Sequence, residues 1–226
     1  MKISILYEDN HLLVVEKPVN IPVQEDSSGD KDLLTILKDD IKVRYQKPGN
    51  VYLGLVHRLD RPVGGVMVFA KTSKAAARLS DVIRKRELDR QYLAIVRGVS
   101  RKENERLEHY LYKDTKKNKV HAVAANYRNA KQAILDYKTM GTAEQLSLLS
   151  VQLHTGRSHQ IRVQLAESGL PLYGDQKYGQ HVNRPGQQIA LWAHSLEFPH
   201  PTTKKLLQFQ SLPPNEYPWN IFSHFQ

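Results

Sequence analysis

The sequence predicts an α+β fold built on a mostly antiparallel sheet. Strand-like segments outnumber helical ones and seldom alternate with them. The apolar runs are short and bounded by Gly, Pro, Asn and Asp, the residues that close turns. Three stretches repeat their apolar residues at helical spacing. A chain of 226 residues can bury a substantial core, and every candidate boundary reads as a loop, so a single domain over 1–226 is expected.

The opening "KISILYEDNHLLVVEKPVNIPV" reads as two strands joined by a turn at Asp9-Asn10, with Lys17-Pro18 ending the second. "DLLTILKDDIKVRY" places Leu33, Leu34, Leu37 and Ile41 at helical spacing. "SKAAARLSDVIRKRE" (73–87) is a second helix, with Ser73 the expected N-cap and basic residues in its last turns. "RQYLAIVRG" is a buried strand. Residues 101–131 are basic and polar around "KDTKKNK" and read as exposed hairpins. "QAILDYKTM" and "EQLSLLSVQLHT" resume the strand pattern, although the second does not alternate strictly. "SHQIRVQLAESG" is helical and ends at Gly169, a natural residue for the position after a helix. Two strand-like segments, "QIALWAHSLEF" and "KKLLQFQ", lead to a Pro-rich end.

Composition narrows the function. With no cysteine there is no disulfide framework, thiolate nucleophile or Cys-bound metal centre, which suits a cytosolic protein. There is no long apolar run, and the first ten residues are too briefly apolar for a signal peptide. The net charge of +10 favours a polyanionic partner, though a basic, soluble surface would account for it equally. None of the ten histidines falls in a zinc-ligand spacing, so no metal is expected. Neither glycine-rich phosphate loop occurs, nor does the G-x-S-x-G nucleophile elbow.

Four polar clusters lie beside apolar segments: "HRLDR" (57–61), "RQY" (90–92), "HTGRSHQIR" (154–162) and "GDQKYG" (174–179). A desolvated aspartate needs a charge partner, and the sequence offers several arginines for Asp60. An ionised carboxylate held by an arginine is either a nucleophile or a plain ion pair. Thr155-Gly156 is expected to open the third helix, where free backbone N–H groups and Arg157 would together receive a phosphate. On that helix Arg162 would turn inward with Leu165 and Ala166 and call for a carboxylate. A capped surface helix with solvated arginines is the plain alternative.

Taken together, "DNHLLVVEKP", "HRLDRPVGGVMVFAK", "RQYLAIVRG", "LHTGRSHQIRVQL", "PLYGDQKYG" and "LWAHSLEFPHP" resemble the ordered motifs of the RluA-type family of RNA pseudouridine synthases, from about Tyr7 to about Pro201. The resemblance implies a bent, mainly antiparallel mixed sheet with flanking helices, a basic RNA cleft, and no metal or organic cofactor. It makes Asp60 the essential carboxylate, Tyr92 the tyrosine beside the target base, and Arg162 the partner of Asp60. Arg58 would fill the space left by a flipped nucleotide, while His57, Arg157, His159 and Lys71 would contact RNA. His57 and Arg61 suit structural and phosphate-contact roles equally well. Val63-Gly64-Gly65 replaces the family's usual Thr-Ser-Gly, and Asn20 stands where many members have Gly. No S4-like domain is expected before the first motif. Ribosomal or transfer RNA is the expected partner, with the 113–131 region assisting, in a monomeric protein. A binding module without catalysis is the competing class; a phosphate-ester hydrolase lacks its metal cluster.

Overall fold

The computed structural model describes residues 3–225 and divides into two compact units, Met1–Arg90 with Ala193–Leu212, and Gln91–Trp192 with Pro213–Gln226. Its elements run β1 (Ser4–Glu8), β2 (Leu12–Lys17), α1 (Leu33–Arg44), β3 (Gly54–Leu55), β4 (Gly64–Ala70), α2 (Ser73–Arg84) and β5 (Asp89–Arg97). There follow β6 (Asn104–Asp114), β7 (Lys119–Val123), β8 (Lys131–Ala143), β9 (Leu146–Leu153), α3 (Gln160–Glu167), β10 (Leu191–Pro199), β11 (Leu206–Gln210) and a final 3-10 turn (Trp219–Phe225). This is the expected α+β class.

In the first unit the strand order is β1-β2-β4-β10, with β3 beside β4 and β11 beside β10. The β1–β2 turn forms because Asp9 Oδ1 accepts the amide N–H groups of His11 and Leu12, both at 2.7 Å. Leu12, Val14, Val66 and Val68 on one sheet face meet Ala75, Leu79 and Val82 of α2, and Leu196 and Phe198 close the same core. Asp32 caps α1 through Thr35 N at 3.0 Å. Thr72, not the expected Ser73, caps α2: its extended backbone aims Oγ1 at the Ala75 amide, 3.1 Å away, leaving Ser73 as the first helical residue.

Gly65 lies in β4 opposite Lys17, with φ at +117°. A Cβ there would stand 2.2 Å from the carbonyl oxygen and 2.7 Å from the nitrogen of Ala193. Only glycine lets these backbones approach so closely. Asn20 holds φ at 63°, the left-handed turn that asparagine tolerates.

The second unit is an antiparallel run ordered β5-β9-β8-β6-β7. Residues 101–131 form the expected hairpin, β6 with β7, but β6 also pairs with β8 along eight residues, so this basic segment belongs to the sheet. Leu111, Val120 and Ala133 point to one face, where Val163 of α3 covers them. Among the described residues no helix is long and apolar enough to cross a membrane.

Replacing Gly65 by Ala is expected to cost more than about 3 kcal/mol, since backbone rather than a movable side chain blocks the methyl group. Urea unfolding checks this, and an unchanged midpoint would contradict the close approach.

Candidate active site

The loop carrying Asp60 is fastened from beneath. Lys17, at the end of β2, is fully buried, and its Nζ donates to the carbonyls of Pro18 (2.9 Å), Arg61 (3.0 Å) and Val63 (2.7 Å). Three acceptors match the three N–H groups of an ammonium. Burial pushes the Lys17 pKa down to about 7; the Asp60 carboxylate works against that fall and Arg61 adds to it. The loop turns on itself where the Val63 N–H donates to the Asp60 carbonyl at 2.9 Å. Asp60 is partly buried, one residue after the buried Leu59.

The other candidate residues of the first unit are spent differently. His57 Nε2 accepts the Val68 N–H of β4 at 3.0 Å, which fixes the ring against the strand. Burial, helped by the positive Arg90, pushes its pKa down to about 3, so the ring is neutral at physiological pH. Of the two roles open to His57, this geometry supports the structural one. Lys71 donates to Glu8 Oε1 (2.7 Å) and to the Asp9 carbonyl (2.6 Å), which engages its ammonium within the first unit. Arg58 is exposed and touches only the edge of hydrogen-bond range to Gln24, at 3.4 Å. Arg61 pairs with Asp30 and stands 3.9 Å from Asp26.

In the second unit, Tyr92 sits in β5 opposite Val151 and is 8% exposed. The third helix begins at Gln160, not at Thr155-Gly156. His159 occupies its N-cap position with φ at 51° and no side-chain cap. Gln160 causes the delay: its Oε1 accepts from Thr155 Oγ1 (2.8 Å) and from the Arg157 N–H (2.9 Å), while its amide donates to the Ile134 carbonyl (3.0 Å). The expected phosphate seat on a helix opened by Thr155-Gly156 is therefore absent, and the Arg157 amide is already bonded. The exposed Arg157 guanidinium lies alongside β8, its Nε donating to the Gln132 carbonyl at 2.9 Å.

Arg162 does turn inward, and the structure gives it the carboxylate of Asp175, in the "GDQKYG" cluster. Its Nε and one Nη donate to the two oxygens of Asp175, each at 2.8 Å. Burial would raise the Asp175 pKa, but the Arg162 hydrogen bonds and charge, with the amides of Lys177 and Tyr178, hold it below the usual carboxylate range. The Arg162 guanidinium also lies 5.2 Å from the Tyr178 ring centre. The Tyr178 hydroxyl accepts from Val120 N (2.9 Å) and shares a 2.6 Å hydrogen bond with His159 Nδ1. The "GDQKYG" cluster is thus a brace around Arg162. Its signal was visible as charge beside apolar sequence; its partner was not, because the two segments meet only in three dimensions.

Among the described residues no His, Asp and Glu side chains gather into a set that could hold a metal ion. Two outcomes test this geometry. Lys17→Met leaves one buried and two partly buried carbonyls without their donor and is expected to cost about 2–4 kcal/mol by urea unfolding. His57 has a depressed folded-state pKa, so the unfolded chain takes up a proton that the folded chain refuses once pH falls below about 6.5. Stability is then lost as pH falls from about 6.5 toward 3, by about 2 kcal/mol at pH 5. Over the same range His57→Gln should lose less; equal pH dependence would contradict the half-buried neutral ring.

Residues 11–167 match the RNA pseudouridylate synthase family. An uncharacterized RNA pseudouridine synthase of Bacillus subtilis (strain 168) is 35% identical over 209 residues, covering 91% of this chain and 67% of the relative. Ribosomal large subunit pseudouridine synthase C of Buchnera aphidicola subsp. Schizaphis graminum is 32% identical, covering 89% and 64%, and the D enzyme of Haemophilus influenzae is 30% identical, covering 95% and 68%. The chain thus spans about two thirds of the length of these relatives. In fold it is similar to human RNA pseudouridylate synthase domain containing 4, with a TM-score of 0.77 at 24% identity over 98% of this chain and 91% of that one. The chain belongs to the RNA pseudouridylate synthase family.

Proposed function

We propose that this chain isomerises uridine to pseudouridine in RNA, with Asp60 as the essential carboxylate. The observation that carries this reading is the clamped loop: Lys17 holds the carbonyls of Arg61 and Val63, one and three residues after Asp60, in a chain of this family. A carboxylate on a tethered loop is preorganised for chemistry, because little motion is left to arrest in the transition state.

The reaction breaks the N1–C1′ bond, turns the base and joins C5 to C1′; the C5 proton leaves and N1 gains one. Glycosidases acting on an oxygen leaving group use two carboxylates, since that oxygen must be protonated. Uracil spreads its charge over two carbonyl groups, so one carboxylate suffices. Asp60 assists by attacking either the sugar or the base. Tyr92 stacks on the base and helps remove the C5 proton, and Arg162, braced by Asp175, supplies the positive charge that Asp60 requires.

A stacked uridine must be flipped out, at a cost of a few kcal/mol, and Arg58 fills the gap with a planar guanidinium. Arg157 and His159 contact phosphate. The substrate is ribosomal or transfer RNA, and two relatives named as ribosomal large subunit pseudouridine synthases favour the first. We assign the two units to a single catalytic domain, acting as a cytoplasmic monomer without cofactor.

The test is tritium release from RNA labelled at C5 of uridine, using ribosomal and transfer transcripts. Asp60→Asn is expected to abolish release while leaving RNA affinity within a few-fold. Equal turnover by that variant would sink the assignment, and binding without release by the wild type on every transcript would favour a binding module.

A further inference from the structure

The solvent face of the β6–β7 hairpin carries a row of rings that the proposed chemistry does not use. Tyr110 and Tyr112 flank the buried Leu111 in β6 and so point to the opposite face. His121 stands directly across from Tyr112. Tyr127, from the turn after β7, packs its ring 5.0 Å from Tyr112 at a 59° tilt, yet remains 49% exposed. Two backbone bonds hold that turn: Tyr127 N to the Ala124 carbonyl (3.0 Å) and Ala130 N to the Tyr127 carbonyl (3.1 Å). The hairpin itself is tied down, since Tyr178 accepts from Val120 N and Lys177 Nζ donates to the Asn118 carbonyl at 2.8 Å.

The charge around these rings is one-sided. From Lys113 to Lys131 there are six basic residues (Lys113, Lys116, Lys117, Lys119, Arg128, Lys131) and one acidic residue, Asp114. Asp114 is partly used in its own turn, where Oδ1 accepts the Lys117 N–H at 3.1 Å. The row also continues toward a residue already implicated: Tyr110 pairs with Gln132, whose carbonyl receives Arg157 Nε.

Resting on the RNA reading above, we propose that this face is a stacking platform for an unpaired stretch of the substrate RNA. Tyr127, backed by Tyr112, takes a nucleobase, while the surrounding lysines track the phosphates. Every base offers a π-face, so such a platform accepts single strands of any sequence, whereas a continuous duplex hides its base faces. Because Tyr127 is held before RNA arrives, little entropy is lost on stacking. The platform thus selects uridines flanked by single-stranded loops.

Fluorescence anisotropy with a labelled, unstructured oligoribonucleotide and with a continuous RNA duplex tests this, alongside tritium-release kinetics. Tyr127→Ala is expected to weaken single-strand binding about tenfold at an unchanged salt slope, and Tyr127→Phe to remain within about twofold of wild type. Lys116→Ala with Lys117→Ala should instead flatten the salt slope by about one to two. In turnover, Tyr127→Ala should raise KM by the same factor as its binding loss while kcat holds. Thermal melts of each variant separate these effects from misfolding, to which an exposed turn residue is little prone. Single-strand affinity of Tyr127→Ala within twofold of wild type overturns the platform and leaves the isomerase standing. An equal loss on duplex overturns the stacking role. Weakened single-strand binding by Tyr127→Ala, with no tritium release by the wild type, keeps the platform and overturns the isomerase.

Discussion

A lysine nitrogen taken wholly out of water is tolerated where its protons find acceptors, and Lys17 meets that condition by drawing three carbonyls onto itself. Two of those carbonyls belong to the loop that holds Asp60, so the lysine's need for acceptors and the loop's need for an anchor are met by the same bonds. The strand supplying Lys17 is paired through its length with β4, and the pair ends with Lys17 opposite Gly65. That glycine in turn admits the Ala193 backbone at a distance no side chain would allow. The position of Asp60 therefore depends on β2, β4 and β10 packing as they do.

The second unit solves a similar problem with an ion pair. Arg162 and Asp175 are both buried, and burying either alone would cost several kcal/mol. Two parallel hydrogen bonds, two backbone amides on the carboxylate and a tyrosine ring against the guanidinium offset that cost. Such a pair gives little net stability but a fixed orientation. The same tyrosine anchors the β6–β7 hairpin, so the brace around Arg162 also steadies the basic, ring-bearing face.

Much of this was legible in the residues. The β1–β2 turn at Asp9, the α1 spacing of Leu33, Leu37 and Ile41, the buried β5 and the end of α3 before Gly169 follow from local rules. Local rules fall short at two helix starts. Thr72 displaced Ser73 as a cap because both residues can serve and the backbone chose the extended one. Gln160 postponed α3 by bonding to Thr155, to the Arg157 amide and across to β8, a competition invisible in the helical periodicity. The roles of Lys17 and Asp175 were missed for another reason: their partners lie 44 and 13 residues away for the Arg61 and Arg162 contacts, respectively.

The α+β class, the order of its elements and the motif set that marks the family can be read along the chain, because they rest on periodicity, turn chemistry and residue order. Tertiary structure decided how each polar side chain is spent. It made Lys17 a clamp, His57 a neutral acceptor for a strand amide and Lys71 the partner of Glu8, and it gave Arg162 to Asp175. A side chain's charge and hydrogen bonds depend on what surrounds it in space, and burial changes their cost several-fold. Chain order fixes what residues are present; packing decides which of them remain available for chemistry.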